Sequence, residues 1–286
     1  MSGVLRTWHD MWKYRRLLWE LVLQDFRTRY AGSILGVFWN VLQPAAQVFI
    51  FAVILAKIMG SRMQGAPSDD SFSVSIYICS GLLPWIVISE TITRNATAFL
   101  AHSNLIKKVA FPHPLLVLYQ VISGGITLLV MLTLFVGVML VTGHAIGWCI
   151  VWLPLVFAVQ ALFLYGIGLL LATLTAHFRD MPQFVSIVLQ LWFWVTPIVY
   201  LREQLAGLMS FAPALLAVNP LYHLTNLYQT ILYRHVVLYD TLPNTLLPAD
   251  NAFFGRLAGM AALGLALVVG ASFFYNKLRA ELPDQI

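Results

Sequence analysis

The sequence predicts an all-α integral membrane protein with six transmembrane helices, an N-terminal amphipathic interface helix, and short re-entrant helices before the last span. Three observations carry that prediction. Of 286 residues, 60% are hydrophobic and 10% charged, which leaves little chain for a soluble domain. The apolar residues gather into long runs with short polar connections, and a bilayer core about 30 Å thick takes about 20 of them per helix. The 17 lysines and arginines divide unevenly between those connections, as the positive-inside rule requires of a membrane protein.

Residues 1–33 form the first element. Leu5, Trp8, Trp12, Trp19, Val22, Phe26 and Tyr30 recur at three- or four-residue intervals with one longer gap, interleaved with Arg6, Lys13, Arg16, Glu20 and Arg27. This is the pattern of an amphipathic cytoplasmic interface helix. Its tryptophans suit the headgroup layer, and its basic face suits anionic membrane lipids or a cytoplasmic partner. The segment has no apolar core of the roughly 7–15 residues that a removable signal peptide carries.

Residues 34–286 read as one transmembrane domain, with spans at about 35–59, 74–98, 115–142, 148–175, 184–201 and 255–276. With the N-terminus inside, the cytoplasmic side collects Arg6, Lys13, Arg15, Arg16, Arg27, Arg29, Arg94, Lys107, Lys108, Arg179, Lys277 and Arg279. The outer side keeps Lys57, Arg62, Arg202, Arg234 and Arg256. Both termini are therefore expected in the cytoplasm. The stretch at about 205–233 is apolar but broken by Pro213 and Pro220. Two short helices dipping in from the outer face fit those lengths, since non-helical backbone is tolerated at membrane depth where protein or a wet cavity surrounds it. A true span there would move the C-terminus outside and spoil the charge balance at Lys277 and Arg279.

Several groups stand out as candidates for function. Asn40, Gln43 and Gln47 share one face of the first span, which Gly36 and Phe51 extend. Amides in hydrocarbon either hydrogen-bond a neighbouring helix or face a water-filled path for a hydroxyl-rich cargo. Phe38, Trp39, Trp85, Trp192, Phe193, Trp194 and Tyr200 are aromatic. Interfacial belts account for Trp39 and Tyr200, whereas Trp85, Phe193 and Trp194 lie deeper, where rings serve either ordinary packing or stacking on sugar faces. Glu90 precedes Arg94 by four residues, the favourable order for a helical ion pair; proton coupling through Glu90 is the other reading. Gly81 and Pro84 suggest a kink beside Trp85.

The cytoplasmic loop AHSNLIKKVAFPHP reads as a short helix over 103–111. Ser103 or Asn104 supplies a cap, Leu105, Ile106 and Val109 an apolar side, Lys107 and Lys108 a charged side, and Pro112 the stop. So short a helix needs the membrane or a docked partner to hold it.

The sequence also narrows the chemistry. Cys79 and Cys149 fall inside apolar runs, so neither a disulfide framework nor a thiolate site is indicated. No lysine follows the G-x-x-x-x-G-K-[ST] pattern, so the chain has no phosphate-cradling loop and any energy must come from elsewhere. No clustered metal ligands occur, the seven histidines are dispersed, and the net charge of +5 follows from topology rather than nucleic-acid binding. An ion-driven flippase using Glu90 and a glycan-assembly enzyme acting from Glu203, Asp240 or Asp250 remain as alternatives.

The run Gln24-Asp25-Phe26-Arg27-Thr28-Arg29-Tyr30-Ala31-Gly32-Ser33, continuing to Gln43-Pro44, resembles the approach to the first span of ABC-2 type polysaccharide exporter permeases. Further matches follow in order along nearly the whole chain: Gly81-Leu82-Leu83-Pro84-Trp85, Asn104-Leu105-Ile106-Lys107-Lys108 with Phe111-Pro112, His177-Phe178-Arg179-Asp180, Thr196-Pro197-Ile198-Val199-Tyr200, and Asn219-Pro220-Leu221. The resemblance implies a homodimer in the inner membrane, each copy bound to a separate ABC ATPase subunit that holds ATP and Mg, with no cofactor on this chain. It implies export of a polysaccharide on a polyprenyl diphosphate lipid, O antigen above capsule or teichoic acid; a drug or small lipid is the variant cargo. By likeness, Ser103, Asn104, Leu105, Ile106, Lys107, Lys108, Val109 and Phe111 form a coupling helix. Pro213, Asn219, Pro220 and Tyr222 belong to an outer gate. The first and fifth spans line the path, which adds Gln190 to Phe38, Trp39, Asn40, Gln43, Gln47, Phe51, Trp85, Phe193 and Trp194.

Overall fold

The computed structural model describes residues 13–29, 31–54, 71–108, 111–144, 146–200, 211–233, 248, 250–279 and 282, and these are helical with irregular connections. Helix α1 (Arg15–Thr28) precedes a turn whose Gly32 has φ +83°, a left-handed conformation that glycine adopts without a Cβ penalty. A single 3-10 turn at Gly36–Phe38 leads into α2 (Trp39–Phe49), which widens to a π-turn at Ile50–Ile54. Then follow α3 (Ser71–Ala96), two short helices α4 (Ala98–Ala101) and α5 (Ser103–Lys108), and α6 (Pro114–Val141). A 3-10 turn at Trp148–Trp152 opens α7 (Leu153–His177), and α8 (Met181–Val195) comes next. Helices α9 (Ala212–Val218), α10 (Pro220–Gln229) and α11 (Phe253–Leu278) complete the described chain.

Among the described residues, four helical segments are long and apolar enough to cross a membrane: Val74–Ala96, Pro114–Val141, Trp148–His177 and Phe253–Leu278. They coincide with the predicted second, third, fourth and sixth spans to within a few residues. The predicted first span, 35–59, is described only as far as Ile54. The predicted fifth, 184–201, is helical over Met181–Val195, starting earlier because Pro182 is suited to the first helical turn. It stops early because Thr196, held at φ −97° and ψ 122°, stands before Pro197, and a residue before proline is pushed out of the helical region.

Helix α3 is the hub, buried from Val74 through Trp85. It contacts α6, α7, α8, α10 and the π-turn after α2. The helix runs unbroken through Gly81 and Pro84. Gly81 has a packing reason: a Cβ there would lie 2.7 Å from the Gln229 side chain of α10.

Helices α7 and α11 meet along a seam of small residues. A Cβ on Gly166 would lie 2.7 Å from Leu267 Cβ and 2.9 Å from the Val268 nitrogen, while one on Gly264 would meet the Phe163 nitrogen at 3.2 Å. Small residues let transmembrane backbones approach, which matters because lipid supplies no hydrophobic drive for helix association. Gly166→Ala is therefore expected to destabilise the protein by about 1–3 kcal/mol through overpacking. Gly259→Ala, with nothing within 4 Å, should be neutral or stabilising by up to about 1 kcal/mol. Melting curves of the two detergent-purified variants test the pair, and equal effects would refute the seam.

Candidate translocation site

Asp25 sits near the end of α1, four residues before the C-cap residue Arg29, whose Nη2 donates to Asp25 Oδ2 at 3.0 Å. Arg94 of α3 donates to the other oxygen of Asp25. Glu90 completes the cluster, 3.4 Å from Arg29 and 3.8 Å from Arg94. The predicted Glu90–Arg94 pair is thus one edge of a four-charge group that joins α1 to α3. The spacing of Asp25 and Arg29 was the sequence signal for their own pair; the Asp25–Arg94 contact spans 69 residues and had none.

Two cavities open beside this group. One, about 350 Å³, is lined by Asn40, Gln43 and Gln47 of α2, by Ile86, Glu90 and Arg94 of α3, and by Thr127 and Met131 of α6. The other, about 610 Å³, lies between α3 and α8 and is lined by Trp85, Ser89, Ser186, Gln190, Phe193 and Trp194. Ile86, Glu90 and Arg94 border both. The structure therefore brings together seven of the ten candidate path residues.

Within the first cavity the three amides differ. Asn40 Nδ2 donates to the Phe26 carbonyl at 3.1 Å, so this amide ties α2 to the end of α1. Gln47 Oε1 is buried without a partner, a state that is costly in an apolar setting. Across α3, the Trp85 and Phe193 rings are 5.7 Å apart and those of Phe193 and Trp194 5.3 Å. Phe38 is exposed on the turn before α2, Trp39 is half-buried, and Phe51 packs against the core. None of these three lines either cavity.

At the far end, Asn219 caps α10. Its Oδ1 accepts from the Leu221 and Tyr222 amides at 3.0 and 3.1 Å, the geometry of a helix N-cap. The same oxygen accepts from Trp192 Nε1 at 2.8 Å, and Nδ2 donates to Thr196 Oγ1 at 3.2 Å. Tyr222 is buried and Pro213 exposed. The broken backbone after α8 is satisfied from neighbouring helices: the Tyr77 hydroxyl donates to the Pro197 and Tyr200 carbonyls at 3.0 Å each. Asp250 pairs with Arg256 at 2.7 Å, a contact that holds the start of α11; Glu203 and Asp240 lie outside the described residues.

The predicted helix over 103–111 is described over Ser103–Lys108, and Phe111 lies outside helix. At its start His102, whose carbonyl accepts from Ile106 N at 3.0 Å, takes the cap position instead of Ser103 or Asn104. Asn104, Lys107 and Lys108 are exposed, Ser103 and Leu105 half-buried, and Ile106 buried; Val109 lies outside the described residues. Phe111 turns inward, its ring 5.7 Å from His113. Burial pulls the pKa of His113 below its ordinary 6.5, which suits a ring set among Phe99, Phe111 and Tyr275.

Four long apolar helices, with α3 the most buried of them, and polar cavities that meet at a charge cluster mark a polytopic helical membrane protein. Residues 16–233 match the ABC-2 type transporter family, and the chain belongs to that family. It is 30% identical over 287 residues to the O-antigen export system permease protein RfbA of Myxococcus xanthus, covering 99% of this chain and 100% of that one. A protein of the same name from Klebsiella pneumoniae is 26% identical, over 94% of each chain. The polysialic acid transport protein KpsM of Escherichia coli is 24% identical over 72% of this chain and 77% of its own.

Asp25→Asn should lower stability. Arg29 and Arg94 are 19% and 26% exposed, so the loss falls short of the roughly 3–5 kcal/mol for a fully buried broken pair, and about 1–2 kcal/mol is expected after solvent screening. Thermal melting in detergent measures it, with Asp25→Glu retaining most of the stability; an unshifted midpoint for Asp25→Asn would mean that the cluster does not hold α1 in place.

Proposed function

We propose that this chain is the permease subunit of an ATP-driven transporter that exports a polysaccharide on a polyprenyl diphosphate lipid, O antigen, across the inner membrane. The observation that carries the reading is the pair of cavities meeting at Ile86, Glu90 and Arg94. One has a wall of amides and the other a wall of aromatic rings. Amides exchange hydrogen bonds with sugar hydroxyls, and ring faces accept the apolar faces of sugars while letting them slide. The unpartnered Gln47 oxygen suits a hydroxyl donor. Relatives named for O-antigen export and polysialic acid transport support a polysaccharide as the cargo class.

In this reading α2 with its π-turn and α8 are the first and fifth of six spans. A second copy of the chain faces them. Helix α8 buries only Val185 and Leu189, while Gln183, Ser186 and Gln190 are exposed, and amides do not face lipid without cost. The charge partition supports cytoplasmic termini, and the two short helices α9 and α10 serve as the outer gate. ATP hydrolysis belongs to a partner ATPase, which α5 meets through Asn104, Lys107 and Lys108. The ion-driven alternative loses ground because Glu90 already lies between two guanidiniums.

Two experiments test this. Depleting the protein in its host and immunoblotting surface and cytoplasmic fractions should reveal finished polymer trapped inside; missing polymer would point to synthesis, and unchanged surface polymer to another cargo. Charge reversal at Lys107 and Lys108 (K107E with K108E) should cut co-purification of the ATPase by roughly 10-fold, and an undiminished complex would make α5 only a membrane anchor.

A further inference from the structure

Helix α5 is six residues long, too short to hold its own shape in water. Any displacement of it must be carried by what it is fixed to. Among the described elements it packs chiefly against α4, which in turn packs against α3, α6 and α7. His102 is the one residue between the two short helices, half-buried, and both of its ring nitrogens are engaged. Nδ1 lies 2.9 Å from the Ala98 carbonyl of α4, and Nε2 lies 3.2 Å from the Tyr119 hydroxyl of α6.

The carbonyl fixes the donor pattern. A carbonyl oxygen only accepts, so Nδ1 donates to Ala98 and, in the neutral ring, Nε2 is the acceptor. Tyr119 then gives its hydrogen to His102, while its oxygen accepts from Gln120 Nε2 at 3.2 Å. Tyr119 and Gln120 are buried, and a hydrogen bond in such surroundings is stronger than one exposed to water. The His102 and Tyr119 rings meet edge to face, 5.7 Å apart at 76°. The charged groups that act on the Tyr119 hydroxyl are Arg94 of α3 and Asp25 of α1. They are the pair that joins α1 to α3, and Arg94 borders both polar cavities.

We propose that His102 is a positioning residue for transport: through the Tyr119 hydroxyl it ties the partner-facing helix α5 to α6 and to the Arg94–Asp25 pair, so that a displacement of α5 reaches the residues where the cavities meet. The inference rests on the reading of α5 as the contact for the ATPase. The two roles fall to different residues. The exposed Asn104, Lys107 and Lys108 serve docking, and His102 with Tyr119 serves transmission. Breaking the His102–Tyr119 link therefore spares the complex and its ATP hydrolysis but lowers the transport obtained per ATP. A residue that only stabilised the fold would, when replaced, lower the melting midpoint and every activity together.

The test compares the wild-type chain with Tyr119→Phe, His102→Asn and the double variant, each expressed with the ATPase subunit. Tyr119→Phe deletes one hydroxyl and keeps the ring, while His102→Asn keeps a donor for Ala98 and is too short to reach Tyr119. Four quantities are read: ATPase co-purification, the melting midpoint, the ATP hydrolysis rate of the complex, and surface polymer at matched protein level. Each single variant should keep the first three and lower surface polymer per ATP hydrolysed about 10-fold, the scale of one lost coupling hydrogen bond. The double variant should be no worse than either single one, because both break the same link. Unchanged export in the single variants, losses that multiply in the double variant, or losses that follow the melting midpoint would each overturn the proposal. Failure of the docking reading shows separately: an ATPase that stays bound to K107E with K108E sinks that reading before export is measured, and the proposal falls with it.

Discussion

Hydrocarbon offers no partner to an unpaired peptide group, and the irregular parts of this protein are arranged around that constraint. At three of the described breaks, side chains from other elements supply missing hydrogen bonds. Tyr77 and Gln229 reach the Pro197 carbonyl, at 3.0 and 3.4 Å. Asn219 gathers the start of α10, the Trp192 indole and Thr196 into one knot. Near the end of α1, Asn40 takes the Phe26 carbonyl, one of those a helix C-terminus leaves open. Polar residues that look functional in a hydropathy plot are in these cases making the fold possible.

The same reasoning sorts the candidates for function. Asn40, Trp192 and Asn219 are engaged in holding elements together, whereas Gln47 presents a buried oxygen with no partner beside a cavity. The charge cluster belongs to both groups. It is balanced, two carboxylates against two guanidiniums, so it adds no net charge where the two cavities meet. A proton carrier at Glu90 would have to give up its charge, leaving Asp25 alone to compensate two arginines, and that makes the cluster a latch better than a relay.

Much of the bundle is legible in the sequence because membrane burial imposes a length that short-range pattern can meet. Apolar runs fix α3, α6, α7 and α11, and the amide spacing correctly puts Asn40, Gln43 and Gln47 on one wall. What stays hidden is set by distant partners. The burial of Phe111 depends on His113 and its surroundings in α4 and α11, and the Asp25–Arg94 contact depends on where α1 lies down. The early end of α8 was available from Thr196-Pro197, but the hydrophobicity of the following residues masks it. The glycine seam between α7 and α11 was equally visible as small residues in apolar runs, yet only the packed structure separates Gly166, which is crowded, from Gly259, which is not.

The staircase from α3 through α4 to α5 bears on how force could enter the membrane. Its breaks at Thr97 and His102 are each closed by side chains, with Thr97 Oγ1 donating to the Arg94 carbonyl at 3.1 Å and His102 Nδ1 lying 2.9 Å from the Ala98 carbonyl. His102 Nε2 lies 3.2 Å from the Tyr119 hydroxyl of α6, which in turn accepts from Gln120. Ile106 and Phe99 are buried in the same corner. A push on the exposed lysines of α5 therefore meets few soft joints before Arg94, and Arg94 holds Asp25 on α1 and borders both cavities. On the proposed reading, a partner closing beneath α5 need not bend the apolar spans. Tilting the foot of α3 by a small angle moves the floor shared by the two cavities, while the knot at Asn219 holds the opposite end.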